Sequence, residues 1–186
     1  RVGEPIGAYY AYQAIGLYRT EEDLNRTNSK GEVIKQNGVA PKLGDIMYAD
    51  LNDDGNITPE DRTIIGNPFP KYSYGINLGA SWKGFDLSTF WQGVAGIYRY
   101  NWETTTDIRG NFTDRWLDRW STDNPNGKMP ALGNTMNEQF SSFWLENASY
   151  LRLKNFEFGY TFGQLPKIGV SKLRIYFAGT NLLTFT

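Results

Sequence analysis

The chain is 186 residues long and has no Cys and no His, which removes disulfides, zinc sites, thiol nucleophiles and imidazole acid–base chemistry. Its formal charge of −1 lacks the Lys/Arg surplus that phosphate binding uses and so argues against a nucleic-acid partner. With 11 Phe, 12 Tyr and 6 Trp the composition leans to strands, especially strands bearing interfacial rings, and no run approaches the ~20 apolar residues of a membrane helix.

Ile6 to Tyr18, rich in Tyr and Gly, reads as a first strand. The stretch from Arg19 to about Pro68 is far longer than an ordinary loop. It opens on Thr20-Glu21-Glu22-Asp23, an approximate capping box that predicts a short helix. Further on, Asp50, Asn52 and Asp54 set oxygen side chains at positions 1, 3 and 5 of a calcium loop. Gly55 permits the bend at position 6, Asn56 offers a carbonyl at 7 and Asp61 closes at 12. Ca²⁺ is a hard ion that takes six to eight oxygens, which this spacing can wrap around one point. An EF-hand proper ends in Glu, whereas a final Asp resembles the calcium loops of dockerins. The alternative is an Asx-rich surface turn without metal, and in either case the role is structural.

From Tyr72 to Trp82 the chain alternates strictly. Tyr72, Tyr74, Ile76, Leu78, Ala80 and Trp82 take one face, and Ser73, Gly75, Asn77, Gly79 and Ser81 the other. That length matches the ~9 to 11 residues a tilted strand needs to cross a bilayer. Lys83-Gly84 predicts a tight turn, and Phe85, Leu87, Thr89 and Trp91 return opposite Asp86, Ser88 and Gln92, completing a hairpin. Tyr72, Tyr74, Trp82 and Trp91 suit either a lipid-facing aromatic girdle or a ligand platform.

A second long connection runs from Gly93 to Ser149. In it Phe112, Trp116 and Trp120 recur every four residues, predicting a helix with Arg115, Asp118 and Arg119 on a solvated side and an end near Asn124-Pro125. Trp116 and Trp120 are either candidate sugar-stacking residues or the buried side of that helix. Tyr150 to Phe162 then aligns Phe156, Phe158, Tyr160 and Phe162, with Leu151 and Leu153 in the opposite phase, which predicts a bulge near Lys154-Asn155. Gln164 to Lys172 makes a turn, and Leu173, Ile175 and Phe177 line up on the returning strand. Asn111 and Asn147 match glycosylation acceptors, a short motif that carries little information by itself. Carboxylates are plentiful but no pair stands out as acid and nucleophile, so the chain is expected not to be an enzyme.

Short turns on one side and long loops (about 19–68 and 93–149) on the other are the layout of an outer-membrane barrel. The expected fold is all-β: antiparallel hairpins of a large outer-membrane β-barrel, with long loops carrying short helices.

Five segments, in order, resemble the C-terminal third of SusC/RagA-like TonB-dependent outer-membrane transporters and span nearly the whole of 1–186. They are GEPIGAYYAYQAIGLYRTEEDL, the long run from GDIMYADLNDDGNITPEDRTIIGNPFPKYSYG to SWKGFDLSTFWQG, RWLDRWSTDNPN, SYLRLKNFEFGYTF and LRIYFAGTNLLTFT. The resemblance implies a barrel of about twenty-two strands, plugged by an N-terminal domain, capped by a SusD-like lipoprotein and energised by TonB. It implies import of oligosaccharides or peptides across the outer membrane. Compared with such a whole protein, this chain has no plug, TonB box, early barrel strands or closing strand, and it reads as a fragment whose targeting signal lies upstream. Alone, its open edges and apolar face are expected to drive self-association or rearrangement. The alternative is a soluble, calcium-stabilised carbohydrate-binding β module, in which Tyr74, Ile76 and Leu78 would enter a protein core instead of facing lipid.

Overall fold

A computed structural model describes residues 3–101 and 113–186. Phe112 of the aromatic stripe and Asn111 of the first acceptor motif lie outside the described residues. In chain order the strands are β1 (Tyr9–Tyr12), β2 (Ala14–Leu17), β3 (Lys35–Gln36), β4 (Ile46–Tyr48), β5 (Asn56–Ile57), β6 (Arg62–Gly66), β7 (Tyr72–Trp82), β8 (Phe85–Ala95), β9 (Tyr98–Tyr100), β10 (Leu145–Asn147), β11 (Tyr150–Phe162) and β12 (Leu173–Phe185). One α-helix, α1 (Glu21–Leu24), and several 3₁₀ turns punctuate them. The chain divides into a loop unit, Arg1–Pro68 with Arg99–Glu146, and a sheet unit, Phe69–Tyr98 with Asn147–Thr186.

The sheet unit is a four-stranded antiparallel sheet in the order β12-β11-β8-β7, so β7 and β12 are its edges. Lys83 and Gly84 both take positive φ (47° and 92°), the geometry of a two-residue hairpin turn, and β7 pairs with β8 without a break from Tyr72↔Ala95 to Trp82↔Phe85. Between β8 and β11 the register shifts at Lys154: Leu153 faces Trp91, whereas Asn155 faces Phe90. Against β12 the same point absorbs Asn181 and Leu182, for Leu153 faces Leu183 and Asn155 faces Thr180. Asn181 takes φ 53°, one of the few non-glycine residues in the left-handed region.

Directly opposed residues share a face, so the register reads out the surface. One face carries the rows Ile76–Trp91–Leu153–Leu183, Leu78–Thr89–Phe156–Gly179, Ala80–Leu87–Phe158–Phe177 and Trp82–Phe85–Tyr160–Ile175. The other carries Gly75–Gln92–Arg152–Thr184, Asn77–Phe90–Asn155–Thr180, Gly79–Ser88–Glu157–Ala178 and Ser81–Asp86–Gly159–Tyr176. The bulge is what places Leu151 and Leu153 on the same side as Phe156 and Phe158, as their opposed sequence phases require.

The two long connections do not hang as loops; they fold together into the loop unit, around Tyr12, Leu17, Ile34, Ile46, Tyr48, Ile57, Trp116, Met129 and Trp144. The single strand expected over Ile6 to Tyr18 is instead two, interrupted at Gln13: β1 pairs with β6 and β2 with β4. That switch of partner, with Tyr12 and Leu17 buried, sends this segment into the unit's core. Thr20 caps α1 with the predicted box, closed by Asp23, whose carboxyl is held below the usual carboxylate range by the Arg19 and Thr20 amides. Polar groups stitch the unit together, within and between the two connections. The Asn137 side chain accepts from the Ile46 amide (2.8 Å) and donates to the Ala131 carbonyl (3.0 Å), Gln36 donates to the Ile46 carbonyl (2.6 Å), and Tyr48 donates to the Met136 carbonyl (2.7 Å). Burial pushes the Tyr48 phenol well above its ordinary pKa and keeps it a donor.

Deleting Lys154 removes the extra residue and forces Phe156, Phe158, Tyr160 and Phe162 onto the polar face or out of pairing. The expected outcome is loss of the protease-resistant sheet, whereas Lys154→Gln, which keeps the residue count, retains it; a resistant sheet in the deletion variant contradicts this account of the register.

Candidate functional site

Three surfaces carry the chemistry read from the sequence. The first is the apolar face of the sheet unit. Its strands are 11 or 13 residues long, so at ~3.3 Å per residue and ~4.8 Å between strands the face is on the order of 600 Å², at the upper limit of what soluble monomers leave bare. Among the described residues much of it stands open: Ile76 is 49% exposed, Leu78 58%, Phe177 63% and Trp82 68%, while Leu153 is buried. Phe85, Tyr160 and Phe162 form a chain of ring contacts (4.5 and 4.7 Å between centroids) at its short-turn end. The opposite face is polar and internally paired. Arg174 on β12 reaches across β11 to bond both Asp86 on β8 and Glu157 on β11. Gly159 lies beneath that guanidinium, and a Cβ there would come within 2.7 Å of Nη2. The sequence offered no sign of this ion cluster, because its members become neighbours only once three strands are in register. Among the described residues no helix is long and apolar enough to cross a membrane.

The second is the acidic loop Asp50–Asp61, in the loop unit. Asp53 and Gly55 take φ 60° and 79°, bending the chain so that its side chains fold inward on its own amides. Asp50 accepts from the Gly55 amide (2.8 Å), Asn52 from the Asp54 amide (3.1 Å) and Asp54 from the Asn56 amide (2.8 Å). The Asn56 side chain accepts from Gly38 (2.7 Å). Asp61, fully buried, accepts from Leu51 (2.8 Å) with one oxygen and Thr58 (2.8 Å) with the other, closing the loop end to end. The hydroxyl and amide of Ser29 hold the Asp53 carboxyl below its usual range. Among the described residues no three acidic side chains group closely enough to hold a metal ion by themselves. The loop's donors are oxygens throughout, amide as well as carboxylate, the hard set that suits calcium.

The third is the tryptophan pair. The predicted helix through both rings is not formed: a 3₁₀ turn covers Asp114–Asp118 and Arg119 is already extended. The reason is a competing partner, since Lys128 and Met129 donate to the Asp118 carbonyl and Trp120 donates to the Met129 carbonyl (2.8 Å), which straightens the chain. Trp116 is thereby buried against Trp144, ring centroids 6.1 Å apart. Trp120 lies over Gly44, where a Cβ would sit 2.4 Å from the ring. An open cleft of about 410 Å³ runs beside Trp116, lined also by Asp114, Leu117, Arg119 and Leu132. Nearby, Glu146 is held below its usual range by Asn101 and then by Arg115, whose guanidinium stands 2.8 Å away.

No family model matches the chain. Along its whole length it is 33% identical to TonB-dependent receptor P3 of Formosa agariphila, covering 18% of that protein. It is 24% identical to TonB-dependent receptor SusC of Bacteroides thetaiotaomicron over 90% of the chain and 15% of that protein. Among solved structures, the RagAB peptide transporter shares the fold over 96% of the chain and 19% of the matched chain, with a TM-score of 0.63 at 24% identity. The chain thus spans about a fifth of the length of the relatives it matches.

Asp61→Ala leaves the Leu51 and Thr58 amides without the charged acceptor that closes the loop. A loss of about 2 to 4 kcal/mol in the local opening free energy is expected, read as faster hydrogen exchange at those two amides; exchange at the wild-type rate contradicts the closing role given to Asp61.

Proposed function

We propose that this chain, similar along its length to SusC/RagA-like TonB-dependent receptors, is part of such a receptor and supplies adjacent wall strands and large outer loops of an outer-membrane importer of oligosaccharides or peptides. The observation that carries the reading is the continuous apolar face, opposite a polar one, maintained through four strands each long enough to span a tilted bilayer crossing. The apolar rows face acyl chains, and the row holding Asp86 and Tyr176 faces the lumen. A soluble carbohydrate-binding module would enclose Ile76 and Leu78 in a core, and their exposure favours lipid as the covering phase. The whole protein draws its energy from TonB and works with a SusD-like lipoprotein as lid. The names of its relatives, receptors and transporters, support transport over catalysis.

In this reading the loop unit lies on the substrate side. Trp116 borders a cleft, through the wall it forms with Leu117 and Leu132, and Trp120 packs against Gly44. The loop of Asp50, Asn52, Asp54, Asn56 and Asp61 takes Ca²⁺ as a structural ion. An ionised carboxylate has about four acceptor sites, so Asp50 and Asp61, each accepting an amide on both oxygens, keep further lone pairs for a metal bond.

Spin labels at Ile76 and Leu78 of the full-length receptor in lipid should be relaxed by oxygen and shielded from a water-soluble nickel complex, with a label at Asn77 showing the reverse; nickel access at Ile76 and Leu78 would overturn the wall assignment. Calorimetry on the calcium-free receptor should show a Ca²⁺ binding heat that Asp50→Ala abolishes, and no heat in the unaltered protein removes the ion from this loop.

A further inference from the structure

The two units divide the charge of the chain very unequally. The sheet unit holds Lys71, Lys83, Arg152, Lys154, Lys167, Lys172 and Arg174 against only two acids, Asp86 and Glu157; every other Asp and Glu belongs to the loop unit. Both of those acids are bonded to Arg174. The lysines of the sheet unit are therefore not offset by acids of their own unit.

Three of them gather at the short-turn end. Lys83 sits in the β7–β8 turn, and Lys167 and Lys172 sit in the connection from β11 to β12, whose residues 163–172 contain no acid. The two turns are neighbours: the Thr161 amide donates to the Gly84 carbonyl (2.8 Å), and Phe162 pairs with Leu173, the residue after Lys172. All three lysines are exposed. Immediately inward lies the aromatic rim, with Trp82 exposed, Tyr160 between Phe85 and Phe162, and the Lys83 ammonium 4.8 Å from the centre of the Trp82 ring. A ring at the edge of an apolar face with an unopposed lysine just beyond it matches the depth profile of acyl chain, glycerol and anionic headgroup.

We propose that Lys83, Lys167 and Lys172 form a contact site for anionic glycerophospholipid headgroups, of the phosphatidylglycerol class, in the leaflet that meets the short turns. The inference rests on the wall-strand reading, because only a membrane-inserted sheet presents this rim to lipid, and short turns lie on the periplasmic side of such barrels. The phosphate diester takes the ammonium groups, and the glycerol and upper acyl carbons lie on Trp82 and Phe162.

The test uses the full-length receptor in nanodiscs of mixed phosphatidylglycerol and phosphatidylcholine, with the lipids held by the protein measured by mass spectrometry. Each lysine near an anionic surface is worth roughly fivefold in binding, so the unaltered receptor should prefer phosphatidylglycerol and K83Q/K167Q/K172Q should lower that preference by about tenfold or more. K71Q/K154Q, which removes two charges from the same unit away from the turns, should keep it. The preference of the unaltered receptor should also fall as salt is raised from about 0.05 to 0.5 M. Equal retention of both lipids by the unaltered receptor, a triple variant that keeps its preference, or a control that loses as much as the triple variant each overturns the proposal. So does a preference transferred to an acidic periplasmic protein that displaces the lipid. Tryptophan quenching by brominated lipid separates the two readings: a receptor that is quenched but shows no headgroup preference overturns this site alone, and one that is not quenched overturns the wall assignment as well.

Discussion

A pleated strand presents hydrocarbon and water on opposite sides only while apolar and polar residues alternate with a period of two, and a single slip exchanges the sides for everything beyond it. β7 and β8 keep that period without interruption, but β11 changes phase between Leu153 and Phe156. Lys154 absorbs the change as an extra residue, and β12 absorbs it again with Asn181 and Leu182. The face remains apolar at the bulge itself because Leu182 covers Gly179 there, its Cδ2 2.8 Å from where a Cβ would stand. The ion cluster depends on the same register. Arg174 reaches Asp86 only because Gly159 is the residue that lies between their strands, and a shift by one position would put Tyr160 or Phe158 in its path.

The loop unit solves a different problem. Its strands are two to five residues long, too short for ladders to satisfy its backbone, so side chains supply partners instead. Asn137 alone joins three segments, bonding at Ile46 and Ala131 and accepting from the Trp144 indole through its own carbonyl (3.0 Å). Arg19 adds two bonds, to the Pro125 and Gly127 carbonyls. Such a network fixes irregular backbone as firmly as a sheet would, and it explains how segments with loop-like sequence hold a buried aromatic core.

What the sequence disclosed follows the range of the interactions. The β7–β8 hairpin was legible because its alternation and its turn are both local, and the bulge was legible because a phase change is itself a local signal. The α1 cap was legible for the same reason, with Thr20 and Asp23 three residues apart. The spacing of Trp116 and Trp120 misled, since four residues also separate positions on a 3₁₀ turn and the extended segment after it, and the decisive partner, Met129, lies farther along the chain. The core of the loop unit was hidden because Ile46 and Asn137 meet across 91 residues. The acidic loop was recognisable from spacing alone, though spacing did not reveal that its carboxylates turn toward their own amides.

The loop unit is discontinuous, its two halves separated by the β7–β8 hairpin. Two chain ends thirty residues apart would ordinarily meet at a considerable entropic cost, and that cost falls when the intervening segment is already folded back on itself. Pairing of Tyr72 with Ala95 brings the flanking positions to the width of one strand pair. The hairpin therefore acts as a splint: with the turn at Lys83-Gly84 closed, the effective loop between Ile46 and Asn137 is shorter and its closure costs less entropy.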